Sequence, residues 1–169
     1  MKKVLFIVVA LSMCQAVFSQ EAEKIKTKAT NEIKLNLLMT VLSFPEITYE
    51  RVWGNNIGLG LSVGFPIEST ATNFQILPYC RFYFGESAIK SFFIEGNIGI
   101  VGYDRYKAGY YYSSSDVQNT ADVGLGVAFG YKYVNNKGLV GELFLGLGRT
   151  FGDYNYIYPR IGISIGKQF

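Results

Sequence analysis

The 169-residue chain has no histidine, two cysteines, four prolines and one tryptophan, and only 17% of its residues are charged. Each scarcity excludes something. Without histidine there is no imidazole general base and no Ser–His–Asp or Cys–His arrangement for nucleophilic catalysis. The commonest nitrogen ligand for zinc is missing too, and no loop carboxylates fall at calcium-loop spacing, so no metal or other cofactor is expected. The cysteines are Cys14 and Cys80; if Cys14 is removed with a leader, no intramolecular disulfide can form. The formal charge is +3, but without Lys2 and Lys3 the Lys and Arg fall from 16 to 14 against 13 Asp and Glu. A balance near +1 offers no basic field for nucleic acid. No apolar run reaches the ~20 residues of a membrane-spanning helix.

What remains is plentiful. Hydrophobic residues make up 49%, aromatics 16%, and glycines number 19. This excludes a disordered chain, and the length suits one domain. At the start, Lys2 and Lys3 precede an apolar run from Val4, and the small residue Ser19 stands before Gln20. That pattern predicts a secretory signal peptide over 1–19. A competing reading makes Leu11-Ser12-Met13-Cys14 a lipoprotein box with Cys14 lipidated. Residues 20–30 are polar and aperiodic, and read as a tether; a single folded unit is expected over 31–169.

From Asn31 onward the hydrophobic period is two. Ile33, Leu35, Leu37 and Met39 share one parity, as do Ile47, Tyr49 and Trp53. Five further groups follow: Ile57 to Phe65, Ile76 to Phe84, Phe92 to Ile100, Val123 to Tyr133, and Leu139 to Leu147. Ile161, Ile163, Ile165 and Phe169 complete eight predicted strands. The opposite parity holds mainly glycine, isolated charges and tyrosines. A soluble sandwich would put Lys, Glu, Thr and Ser there to meet water. Glycine is a poor solvent-facing strand residue but makes room inside a narrow barrel. The apolar parity is therefore predicted to face lipid, the glycine-and-charge parity to face the axis, and the sheet to close, because an open edge in hydrocarbon strands backbone groups without partners.

Connection lengths agree. Segments 54–56, 85–91 and 134–137 are short, whereas 41–45, 66–73, 104–120 and 149–156 are mostly longer. Short turns on one rim and loops on the other fit an outer-membrane barrel with both termini on the periplasmic rim. Trp53, Phe84, Phe92, Tyr133 and Phe169 gather near one rim, and Phe65, Phe74 and Tyr103 near the other, as interfacial girdles do. Pro78 falls within a strand and predicts a bulge; Arg51 has the lipid-facing parity, close enough to a turn to snorkel. Gly96 and Gly141 share that parity with no evident reason.

The segments Leu77-Pro78-Tyr79-Cys80-Arg81-Phe82-Tyr83-Phe84, Phe93-Ile94-Glu95-Gly96 and Gly162-Ile163-Ser164-Ile165-Gly166-Lys167-Gln168-Phe169 carry a family resemblance. Over 31–169 the chain resembles the small eight-stranded outer-membrane barrels of Gram-negative bacteria. More narrowly, it resembles an uncharacterised barrel family common in Bacteroidota, which brings no activity with it. The resemblance implies an all-β, antiparallel up-and-down transmembrane barrel in outer-membrane lipid. It also implies that Phe169, closing the last strand, is the signal read by the outer-membrane assembly machinery.

Candidate sites follow from parity. Glu46, Glu50, Glu95, Asp122 and Glu142 point inward, opposite Lys34, Arg81, Lys132 and Arg160. Buried charges persist when paired, so Lys34, Glu50, Arg81, Glu95, Asp122, Lys132, Glu142 and Arg160 are expected to form an interior ion-pair network rather than a catalytic set. Gly58-Leu59-Gly60 and Gly124-Leu125-Gly126 lack the spacing and following helix of a phosphate loop. In segment 104–120, Arg105, Tyr106, Lys107, Tyr110, Tyr111 and Tyr112 mix aromatic and basic side chains beside a serine run, an adaptable surface for an unknown ligand; Tyr154, Tyr156 and Tyr158 either extend it or belong to the girdle. The expected role is structural or surface interaction, with a filled, non-conducting lumen. The alternative, a secreted lipocalin-like carrier of a small apolar ligand, requires the opposite assignment of faces.

Overall fold

Alternation at period two puts every other side chain on one face, and in this chain the two sets become the two surfaces of a cylinder. The computed structural model describes residues 30–54, 56–68, 72–84, 88, 90–106, 117–152 and 156–169. The predicted leader, Cys14 and the tether up to residue 29 lie outside the described residues. The strands are β1 (Thr30–Asn36), β2 (Glu46–Trp53), β3 (Ile57–Gly64), β4 (Thr72–Phe84), β5 (Lys90–Tyr106), β6 (Val117–Val134), β7 (Leu139–Thr150) and β8 (Ile157–Gln168), with one short helix, α1 (Leu37–Val41). Each strand is antiparallel to the next in sequence order, and β8 returns to β1 through Lys34↔Gly166 and Leu35↔Ile165 to close the barrel.

The faces are those the alternation predicts. Leu61, Val127 and Ile163 are exposed on the outside, whereas Arg81 and Glu95 are 1% and 0% exposed on the inside. Inward glycines make room for large neighbours: a Cβ on Gly60 would overlap the Tyr79 ring, and one on Gly99 or Gly148 would overlap Tyr158. Outward Gly96 and Gly141 have nothing within 4 Å of such a Cβ, so packing does not demand glycine at either.

The lower rim carries the start of β1, the end of β8 and the turns at Gly54 and Gly138. Gly54 and Gly138 adopt φ of 63° and 75°, the left-handed conformation that favours glycine. The Asn135 side chain accepts from the backbone amides of Lys137 and Leu139, both at 2.9 Å. Outward charges sit near the rims over aromatic rings: Arg51 lies 5.5 Å from the Trp53 ring centroid and Lys90 5.1 Å from that of Tyr133.

Five expectations need correction. The first strand stops at Asn36, whose side chain accepts from the Met39 amide and caps α1; Met39 is consequently buried rather than facing outward. The connection placed at 104–120 is narrower, because β5 and β6 remain paired as far as Tyr106↔Val117. Pro78 produces no bulge: the β4–β5 ladder lapses beside it and resumes in the same register, Ile76↔Ile100 and Tyr79↔Asn97. The shift occurs instead between Thr72 and Phe74. Tyr103, assigned to the upper girdle, points inward and is 8% exposed, and Tyr158 is buried in the lumen. Both hydroxyls find polar partners inside, which an outward, lipid-facing position would deny them.

Candidate functional site: the charged lumen

Inward parity from seven strands brings the charges together. Lys34 on β1 donates to Glu50 Oε2 on β2 at 2.5 Å, Glu142 Oε1 on β7 at 2.6 Å and Glu32 Oε2 at 3.3 Å. Arg81 on β4 donates through Nε to Glu95 at 2.7 Å, and through Nη1 to Glu50 and Glu142 at 2.9 Å each. Arg160 on β8 donates through Nε to Glu95 at 2.7 Å and through Nη1 to Glu46 at 2.5 Å. Lys132 on β6 meets Glu32 at 2.9 Å. The eight acceptors and donors just named, with Glu46, form one connected web, and Glu32, Lys34, Glu50, Arg81, Glu95, Lys132 and Arg160 are all at most 2% exposed.

Neutral groups complete it. The hydroxyls of Tyr79 and Tyr83 both donate to Glu50, Tyr79 at 2.9 Å. Ser62 donates to Glu46 at 2.9 Å, and Gln168 to Glu32 at 3.0 Å. Aromatic faces cover the cations: the Arg81 guanidinium carbon lies 4.2 Å from the Phe93 centroid, Arg160 lies 4.6 Å from Phe144, and Lys132 Nζ lies 4.2 Å from Tyr83. Such contacts strengthen once water is removed.

Seven of the eight residues assigned to the network from sequence take part. Among the described residues Asp122 makes no contact with the web; it is half-buried and accepts from the Tyr103 hydroxyl. Ten residues separate it from Lys132 along β6, about 33 Å of strand at ~3.3 Å per residue. Parity sets the face a residue looks at and says nothing of its level along the axis. Glu32 and Glu46 belong to the web although sequence reasoning left them off that list. The signal was available, since Glu32 shares the parity of Lys34, and Glu46 that of Glu50.

Carboxylate oxygens of Glu32, Glu50 and Glu142 lie within 4.8 Å of one another, close enough to suggest a cation site. The ammonium of Lys34 hydrogen-bonds all three, so the chain supplies its own cation there. Each carboxylate of the web is engaged by a fixed donor, so none of these five is poised as a free base or nucleophile. The loop candidates are spread differently. Arg105 and Tyr106 fall in the last residues of β5, while Lys107, Tyr110, Tyr111, Tyr112 and Tyr154 lie outside the described residues. Tyr156 stacks on Tyr103 with centroids 6.1 Å apart and planes at 15°. Phe169 pairs with Asn31 through two backbone hydrogen bonds of 3.0 and 2.9 Å, and its ring is exposed.

A protein-family model described as "Protein of unknown function (DUF3575)" matches residues 4–167. No curated protein matches the sequence. Among solved structures, the N-terminal β-barrel domain of Pseudomonas aeruginosa OprF is similar at 11% identity and a TM-score of 0.59, covering 83% of this chain and 96% of that one. Neisserial surface protein A (NspA) is similar at 13% identity and a TM-score of 0.48, covering 83% and 92%. At such identity the OprF domain speaks for the fold: a small eight-stranded barrel.

Proposed function

The chain belongs to the DUF3575 family, and from that premise we propose that it is an integral outer-membrane barrel with a structural or surface-interaction role and no catalytic one. The observation that carries this is the inversion of the sheet. Exposed Leu61, Val127, Phe129, Leu145 and Ile163 form an apolar exterior while charged side chains fill the axis. A protein surrounded by water gains nothing from that arrangement, whereas in a bilayer it is required of a closed barrel. A soluble carrier of apolar ligands needs the reverse, an apolar interior.

The lumen is closed to ions by its own cross-braces. Arg81 spans from β4 to Glu142 on β7, and Lys34 from β1 to the same carboxylate; eight strands leave room for side chains and little else. Contacts with an outside ligand fall to the loop between β5 and β6 and to Arg105 and Tyr106 at its base. The termini face the periplasm, and the strand ending at Phe169 is the element offered to the assembly machinery.

Membrane extraction separates the readings. The protein should stay with the membrane through an alkaline wash and migrate on gels at a position that changes on boiling. Release by the wash, or migration indifferent to boiling, would overturn the barrel reading. In planar bilayers the purified protein should give no steady conductance; a stable open channel would refute the sealed lumen.

A further inference from the structure

The walls of the barrel differ in height. β1, β2 and β3 have 7, 8 and 8 residues, whereas β5 and β6 have 17 and 18. At ~3.3 Å per residue and a tilt near 40°, eight residues rise about 20 Å and eighteen about 45 Å, against an apolar band of ~25 Å. The low wall therefore stops roughly 5 Å short of the band's edge. Above it stand segment 37–45, which contains α1, and residues 65–67.

Those residues are suited to hydrocarbon in two independent ways. The first is composition. Neither segment has a charged side chain; buried Glu46 follows the first and exposed Glu68 the second. Leu37, Val41, Leu42, Phe65 and Ile67 are exposed, Val41 at 82% and Ile67 at 67%. They continue the exposed apolar surface of Ile47, Leu61 and Val63. The second is the backbone. The amides of Leu42, Ser43 and Phe44 donate to the carbonyls of Leu38, Thr40 and Met39 at 3.2, 3.1 and 2.9 Å. Those of Phe65 and Ile67 donate to Pro45 and Ser43 at 3.3 and 2.8 Å, and the Met39 amide reaches Asn36 Oδ1 at 3.2 Å. Pro45 and Pro66 have no amide hydrogen to satisfy. A connection that water is meant to solvate needs no such economy; one placed in lipid does. Facing the other way, the Phe44 ring lies over Gly64, where a Cβ would overlap it.

We propose that α1, which ends at Val41, and its neighbours Leu42, Phe65 and Ile67 are immersed in the bilayer against acyl chains of the leaflet at the upper rim, so that the barrel's rim on the β1–β3 side lies below the membrane surface. This rests on the membrane reading above. Phe44 and Met39 then seal the lumen against lipid on the low side, while the long strands β5 and β6 rise past the band on the other.

Trp53 is the sole tryptophan, which makes fluorescence quenching direct. In a Trp53→Phe background, Val41→Trp, Leu61→Trp and Lys137→Trp are each refolded into phosphatidylcholine vesicles with or without bromine on the acyl chains. Heat-shifted migration checks that each has folded, and Ile67→Trp replaces Val41→Trp if that variant does not. The expected result is a loss of emission at position 41 equal to that at position 61, with both spared by aqueous iodide and position 137 showing the reverse. Quenching of position 41 by iodide and not by bromine, with position 61 still quenched by bromine, overturns the immersion and leaves the membrane barrel standing; a surface free for a water-borne partner gives this outcome. Failure of bromine quenching at position 61 as well overturns both.

Discussion

One sheet presents two opposite chemistries, and the difference between them shows what each side must satisfy. On the inner face, Glu32, Glu50, Glu95 and Lys132 are 0% exposed, and each charge is met by two or more donors, acceptors or ring faces. On the outer face, a side chain needs only to be apolar and need fit nothing: Phe129 and Val127 stand more than 60% exposed. Specificity therefore resides inside. The exterior is interchangeable among apolar residues, because acyl chains conform to whatever they touch, whereas the interior is tied to particular partners at particular levels.

Substitution should expose that asymmetry. The largest effect is expected from Arg81→Met, which leaves Glu50, Glu95 and Glu142 short of a shared cation; breaking a buried pair from one side costs about 3–5 kcal/mol, read as a lower urea midpoint for the reconstituted barrel. Next, Val127→Lys places an ammonium on the belt and should cost about 2–4 kcal/mol in vesicles, whereas Val127→Leu should be near neutral; an equal loss for both would mean the exterior is as particular as the interior. Third, Gly60→Ala drives a methyl into the Tyr79 ring and should cost about 1–3 kcal/mol. Its outer counterpart Gly96→Ala meets open space and should instead gain up to about 1 kcal/mol from the strand. The smallest change belongs to Asp122→Asn, which removes a charge outside the ion-pair web and keeps an acceptor for Tyr103; a shift under about 1 kcal/mol is expected in the same titration. A loss as large as that of Arg81→Met would bring Asp122 into the web after all.

Faces were legible in the sequence because period two is a strong signal over long strands: Leu61, Val127 and Ile163 project outward and Arg81, Glu95 and Glu142 inward as their alternation requires. Axial position was not legible. Asp122 and Lys132 have the same parity yet occupy different levels, and nearness to a strand end suggests a girdle position for Tyr103 and a girdle or loop-patch position for Tyr158, when their hydroxyls bond inside the barrel. Strand ends were also hidden. The five residues of α1 are too few for a helical period, and Leu37 and Met39 continue the apparent alternation past the point where Asn36 caps the helix. Tertiary pairing extends β5 and β6 to Tyr106 and Val117 through residues whose local composition reads as loop.

The attachment of Lys34 to β1 carries a consequence for how the molecule comes to exist. Its ammonium reaches Glu50 one strand away and Glu142 on β7, 108 residues further along the chain. Lys132 reaches back 100 residues to Glu32 in the same way. Until the first and last strands meet, Lys34 can pair with Glu32 and Glu50 but not with Glu142, and Lys132 cannot reach Glu32. The last of the ion pairs thus form only as the seam closes.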